Sequence, residues 1–349
     1  MRSLTGSVGQ SYTTDNSSRT IGVAVKRILI ARPNARLGNL LLITPLVQDI
    51  VSVFPNCKID LFVKGYAASV IFRNFENIDQ MIQLPGKPFK QLWKYTLQWL
   101  SIRKYDYDLV INVDKNSASG RLSSQFSNSH YKIFGDNDEN IPSEWDDYFH
   151  IAKNPVYNFR KFISHLGYFV YDAPVPLLNL KLTSFEIARG KAVLEGLTES
   201  GKKTICLFTY ATGAKCYTQA WWQEFYKRLL KNYPNHNIIE VLPLHGTAVF
   251  ADTIASFYSK DIREIASLFA NVTVFIGADS GMMHLASAAN TTVIGLFQVT
   301  DPEKYRPYGN HSTAIDTSNG NMESWFYRID IAIRLADLRD KGKLNEATA

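Results

Sequence analysis

The chain has no apolar run approaching the ~18 residues that a membrane-spanning helix requires, and it carries only three cysteines, Cys57, Cys206 and Cys216. The first absence excludes an integral membrane helix. The second excludes a disulfide framework and a thiolate zinc cluster, because three scattered thiols build neither. No Gly-x-Gly-x-x-Gly follows the first strand-like segment, and no Gly-x-x-x-x-Gly-Lys-Ser/Thr occurs anywhere. The phosphate cradles of a dinucleotide dehydrogenase and of a P-loop nucleotidase are therefore both missing. Residues 1–20 are rich in Ser and Thr and lack the apolar core of a secretion signal, which predicts a cytoplasmic protein with reduced thiols. Basic residues are spread without an aromatic platform, so no nucleic-acid partner is expected.

What is present is enough hydrophobic material for two cores of ordinary size, 46% of 349 residues, and a formal charge of +6 that favours anionic partners. Strand-like segments at 27–31, 59–63, 81–84, 109–113 and 131–134 alternate with helical patterns, the first of them at 40–54. The alternation repeats with strands at 204–208, 238–242, 272–276 and 292–297 and helices at 185–197, 220–232, 262–270 and after Gly281. Such alternation predicts an α/β fold with parallel sheets. We place a leader at 1–25, a first Rossmann-like domain at 26–172 and a linker marked by Pro174 and Pro176 at 173–182. A second Rossmann-like domain follows at 183–320, then a helix at 321–340 and a tail at 341–349. Two such domains are expected to leave an interdomain cleft, with ligands beyond the carboxyl ends of the strands.

The most informative block is Val274-Phe-Ile-Gly-Ala-Asp279-Ser280-Gly281-Met-Met-His284, where a buried strand turns into a helix. A polar, glycine-bearing turn there aims unpaired N–H groups and the positive end of a helix dipole at an anion, as a diphosphate site requires. Asp279 either caps the helix or binds sugar hydroxyls; Ser280 and Gly281 would hold phosphate. His284, one turn in, reads first as a structural residue and not as a base. Thr209, Thr212, Gly213 and Lys215 follow an earlier strand, and hydroxyls with a lysine on a glycine loop form either a diphosphate clamp or a solvated loop. Asp106-Tyr-Asp108 and Asp136-Asn-Asp138 imitate a metal-binding Asp-x-Asp, but Asp106 and Asp108 precede a strand, and no metal is expected. A helical, basic segment at 89–104 carries Phe89, Leu92, Trp93, Leu97 and Leu100 on one face, expected to pack inward. Trp99 and Tyr95 fall off that face beside Lys94, Arg103 and Lys104, which suggests contact with an anionic lipid surface or a phosphorylated glycolipid.

Arg27-Ile-Leu-Ile-Ala-Arg-Pro with Leu37-Gly38-Asn39, Tyr107-Asp-Leu-Val-Ile-Asn112, Lys215 with Trp222, and Asp279-Ser-Gly-Met-Met-His284 together resemble glycosyltransferase family 9, the ADP-heptose:lipopolysaccharide heptosyltransferases. The resemblance implies the GT-B architecture of two facing Rossmann-like domains. It implies a metal-independent transferase with a nucleotide-sugar co-substrate, ADP-heptose, and no further cofactor. A lipid-linked glycan acceptor and peripheral contact with the inner membrane follow from the same likeness. It assigns Thr209, Thr212, Lys215, Ser280 and Gly281 to the donor diphosphate, Asp279 to sugar hydroxyls, and the segment around Ile262 to the adenine.

One position departs. In that family the first helix opens Gly-Asp, and the aspartate is the base for the acceptor hydroxyl; this chain has Gly38-Asn39. An amide orients a hydroxyl but takes no proton near neutral pH. Losing a positioned base typically costs ~10²- to 10⁴-fold. Asp114, just past a strand end, is the substitute considered. Asn39, Asp114 and Lys215 are thus the catalytic candidates. The alternatives are a non-catalytic nucleotide-sugar binder and a transferase using a different nucleotide sugar.

Overall fold

A computed structural model describes residues 24–86, 90–136, 145–169, 173–245, 248–250 and 253–340. Residues 1–23 of the expected leader, the expected tail, Phe89 and Asp138 lie outside the described residues, while Val25, assigned to the leader, is buried beside the first strand. The chain divides into two compact units, Met1–Pro176 and Leu177–Ala349.

The first unit is a five-stranded sheet. Its strands are β1 (Arg27–Arg32), β2 (Lys58–Lys64), β3 (Ile78–Leu84), β4 (Tyr107–Asn112) and β5 (Ser129–Ile133), in the order β3-β2-β1-β4-β5. Every pairing is parallel. Central strands of such a sheet are covered on both faces and read as unbroken apolar runs, and Ile28, Leu29, Ile30 and Ala31 of β1 are fully buried. The helix expected over 40–54 is two helices, α1 (Leu37–Leu41) and α2 (Thr44–Val53). Pro45 explains the break: it has no N–H to continue α1 but fits the first turn of α2. Next come α3 (Ala67–Ile71), α4 (Leu92–Ser101), α5 (Ala118–Phe126) and α6 (Asn154–His165).

α4 reverses the expected orientation. Leu92, Trp93, Leu97 and Leu100 are exposed. Tyr95 and Trp99 pack inward on the sheet, with the Trp99 and Phe62 rings 5.4 Å apart. Tyr95 and Trp99 are the ones that meet the core holding Phe62, Ile102 and the Tyr107 ring.

The second unit has six strands, β6 (Lys203–Phe208), β7 (His236–Val241), β8 (Ala255–Phe257), β9 (Val274–Ala278), β10 (Thr292–Phe297) and β11 (Thr313–Asp316). Their order is β11-β10-β9-β6-β7-β8, again all parallel. The strand expected at 272–276 starts two residues later, because the Val272 N–H closes the preceding helix on Phe269 O. It runs on through Gly277, which sits between Gly295 and Phe208 in the ladder. Its helices are α7 (Ser184–Leu197), α8 (Gln219–Asn232), α9 (Ile262–Phe269), α10 (Gly281–Ala288), α11 (Pro302–Tyr305) and α12 (Met322–Asp340). Phe326, Ile329, Ile333 and Ala336 of α12 repeat at helical spacing and are buried, the first three in one core with Trp222 and Phe225 of α8. No described helix is long and apolar enough to cross a membrane.

Candidate active site

In the second sheet the winding direction reverses between β6 and β9. Loops leaving neighbouring strands at such a point part in opposite directions and open a crevice at the carboxyl ends. The loop after β6 passes Thr212 into a short turn, Gly213–Lys215, entered through Gly213 at φ +63, a backbone region that favours glycine. Lys215 Nζ donates to Asp279 Oδ2 at 2.6 Å, and the Thr300 hydroxyl donates to the same oxygen at 2.8 Å. Gln298 Nε2 holds the Lys215 loop from the side, donating to Ala214 O at 2.9 Å and Cys216 O at 3.2 Å. Loops from β6, β9 and β10 therefore converge on one carboxylate. Asp279 is buried, with 5% of its side chain exposed, whereas Lys215 keeps 33%. The ammonium is fixed in place yet reaches solvent, as an anion site requires.

Ser280, not Asp279, caps α10. Its backbone is extended and its Oγ accepts the Met283 N–H at 3.4 Å. The N–H groups of Gly281 and Met282 have no acceptor within the helix, so this end can meet negative charge beside Lys215. His284 is buried, and burial pulls its pKa down to about 4; the Asp279 charge opposes that shift and Lys215 reinforces it. The ring is neutral near neutral pH and serves packing.

Thr209 does not face the site. Its hydroxyl donates to the Glu240 carboxylate, which also accepts the Val249 and Phe250 N–H groups at 3.1 and 2.9 Å. Trp222 Nε1 closes the same corner on Thr209 O at 3.1 Å. Thr209 thus belongs to the frame, since a buried carboxylate must be hydrogen-bonded on all sides to be tolerated. Glu240, fully buried on β7, was signalled in sequence only by one acidic residue ending an apolar strand. Thr300 likewise carried no signal of its role. Thr212 and Gly213 are exposed beside Lys215. Ile262 is partly exposed on the first turn of α9, which Asp261 caps through the Arg263 N–H at 2.8 Å. The Arg263 guanidinium turns away to Glu186, at 2.8 Å, holding that carboxyl down to about 2.

In the first unit the switch point lies between β1 and β4. Arg32 ends β1, and its Nη1 donates to Asp114 Oδ2 at 2.6 Å, while Asp114 Oδ1 accepts the Asn116 N–H at 3.0 Å. Asp114 is consequently engaged on both oxygens, which argues against its role as a free base. Asn39, half-buried on α1, makes no side-chain hydrogen bond among the described residues. Of the residues expected to meet an anionic lipid surface, Lys94 rims a depression with Gln83 and Gln98, and Trp99 is turned inward. Arg103 lies 5.2 Å from the Phe126 ring, and Lys104 5.4 Å from the Tyr105 ring. Asp108 accepts the N–H groups of Lys26 and Arg27 at 2.7 and 2.8 Å, joining β4 to β1. Among the described residues no three His, Cys, Asp or Glu side chains gather in a metal-binding group.

Two doubly wound parallel units, one carrying a lysine and a helix N-terminus at its switch point, define an α/β protein with a site suited to a phosphate-bearing ligand. The sequence pattern of glycosyltransferase family 9 (heptosyltransferase) matches residues 98–326, and the chain belongs to that family: it is a glycosyltransferase. It is 23% identical over 290 residues to lipopolysaccharide heptosyltransferase 3 of Escherichia coli, covering 78% of this chain and 84% of the relative. Among solved structures it is similar to a family 9 glycosyl transferase of Veillonella parvula, with TM-score 0.67, 16% identity and coverage of 90% and 91%. It also resembles the E. coli heptosyltransferase WaaC with ADP, with TM-score 0.62, 17% identity and coverage of 88% and 99%. These likenesses show the GT-B class of fold.

Proposed function

We propose that the protein transfers a heptose from ADP-heptose to a lipid-linked glycan of the lipopolysaccharide core type, at the cytoplasmic face of a membrane. The observation that carries the reading is the Lys215–Asp279 pair at the β6/β9 switch point, capped by the opening of α10. In this reading Lys215 and the N–H groups of Gly281 and Met282 take the diphosphate, and their electrostatic support grows as it departs. Asp279 turns toward donor sugar hydroxyls while Thr300 holds its oxygen. The nucleotide sugar is the co-substrate, with no further cofactor and no metal assigned. The names of the relatives, a lipopolysaccharide heptosyltransferase and a heptosyltransferase with ADP, support the same donor and acceptor classes.

The first unit takes the acceptor, with Asn39 and Asp114 orienting the incoming hydroxyl. An amide at position 39 makes a slow transferase. Asn39→Asp, which restores a proton acceptor, is expected to raise turnover on a heptose-bearing acceptor by ~10²-fold or more. Unchanged silence with tight ADP binding would instead mark a nucleotide-sugar binder. Calorimetric titration with ADP, UDP and GDP is expected to favour ADP; preference for UDP or GDP overturns the donor assignment.

A further inference from the structure

The outward arc of α4 is apolar where a surface helix is normally polar. Leu92, Trp93, Leu97 and Leu100 are exposed, Trp93 at 77%. At about 100° per residue these four fall within an arc of about 140°, beside the separate arc that turns Tyr95 and Trp99 inward. The charge around them has one sign. Between Asp79 and Asp106 the sequence has no acidic residue and has five basic ones, among them Lys90, Lys94, Arg103 and Lys104.

A second copy of this face would set lysine against lysine, which disfavours self-association. An anionic bilayer matches both properties. Its interface receives leucine and tryptophan side chains, while lysine and arginine stems reach the lipid phosphates. On the helix's polar flank, Lys94 and Gln98 rim a depression of about 460 Å³ with Tyr66, Gln83 and Gly86, at the carboxyl ends of β2 and β3.

We propose that the outward face of α4 docks this protein on an anionic bilayer, lying in the interface plane, with the depression beside Lys94 open to the polar headgroup of a membrane-borne glycan. The proposal rests on the reading of the acceptor as lipid-linked, and it replaces Trp99 by Trp93 as the membrane-contacting indole.

The test uses the full chain sedimented with phosphatidylcholine vesicles with and without phosphatidylglycerol, with ADP titration in parallel. Binding is expected only with the anionic lipid and is expected to weaken with salt. The pair Trp93→Ser with Leu97→Ser is expected to lose at least about tenfold in vesicle partitioning, and Lys94→Glu with Lys104→Glu by a similar factor, each with unchanged ADP affinity. Brominated lipid should quench wild-type tryptophan fluorescence and leave Trp93→Phe largely unquenched. Equal partitioning of the Trp93/Leu97 variant and the wild type, absence of vesicle binding, or dimers that the same substitutions dissolve would each overturn the proposal. Loss of ADP binding with vesicle docking intact would fail the donor reading alone.

Discussion

The two sheets mirror each other in how they hold charge at their switch points. In the second unit the buried partner is the anion: Asp279 is 5% exposed and Lys215 33%. In the first unit the buried partner is the cation, Arg32 at 5% against Asp114 at 36%. In each pair the buried member fixes the position of the other. One unit therefore presents an ammonium, which suits a diphosphate. The other presents a carboxylate, which suits a hydroxyl.

The comparison is breakable by removing the exposed member of each pair, which strands a buried charge. Asp114→Ala should have the larger effect, about 3 kcal/mol or more of stability by calorimetric unfolding. Arg32 Nε already lacks a partner, and Asp114 is its one side-chain hydrogen-bond partner among the described residues. Lys215→Met should cost less, about 1–3 kcal/mol, because Thr300 still donates to Asp279. A reversed order would show that the pairs are not built as described.

A smaller effect concerns pH. Burial holds His284 at about 4 in the folded chain, below the 6.5 of a free imidazole. The unfolded state thus binds its proton first as pH falls. Stability from this group is complete above about 6.5 and declines as pH drops toward about 4. His284→Gln should flatten that window in melts recorded from neutral to acid pH; an unchanged slope would place the acid sensitivity elsewhere.

Much of this was legible from sequence where burial dictates residue type. β10 was readable to the residue because all six positions of Thr292–Phe297 are buried. β8 and β11 were not, since short edge strands half open to solvent leave no apolar run. On α4, the Leu and Trp spacing reads as a core stripe, and only packing reveals that Tyr95 and Trp99 are the anchors. The Asp279 turn was visible as a strand-to-helix motif. Its pairing with Lys215, 64 residues away, was not, nor was the capture of Thr209 by Glu240, 31 residues away. Side-chain partners distant in sequence leave no local pattern.

The central claim is that the exposed ammonium of the second unit receives the donor's diphosphate. The double variant Lys215→Gln with Asp279→Asn strands no charge, so it should fold with wild-type cooperativity. Calorimetric titration of this variant with ADP is expected to show affinity reduced by at least about tenfold, the loss of one charge-assisted phosphate contact. Wild-type ADP affinity in the folded double variant would contradict the account.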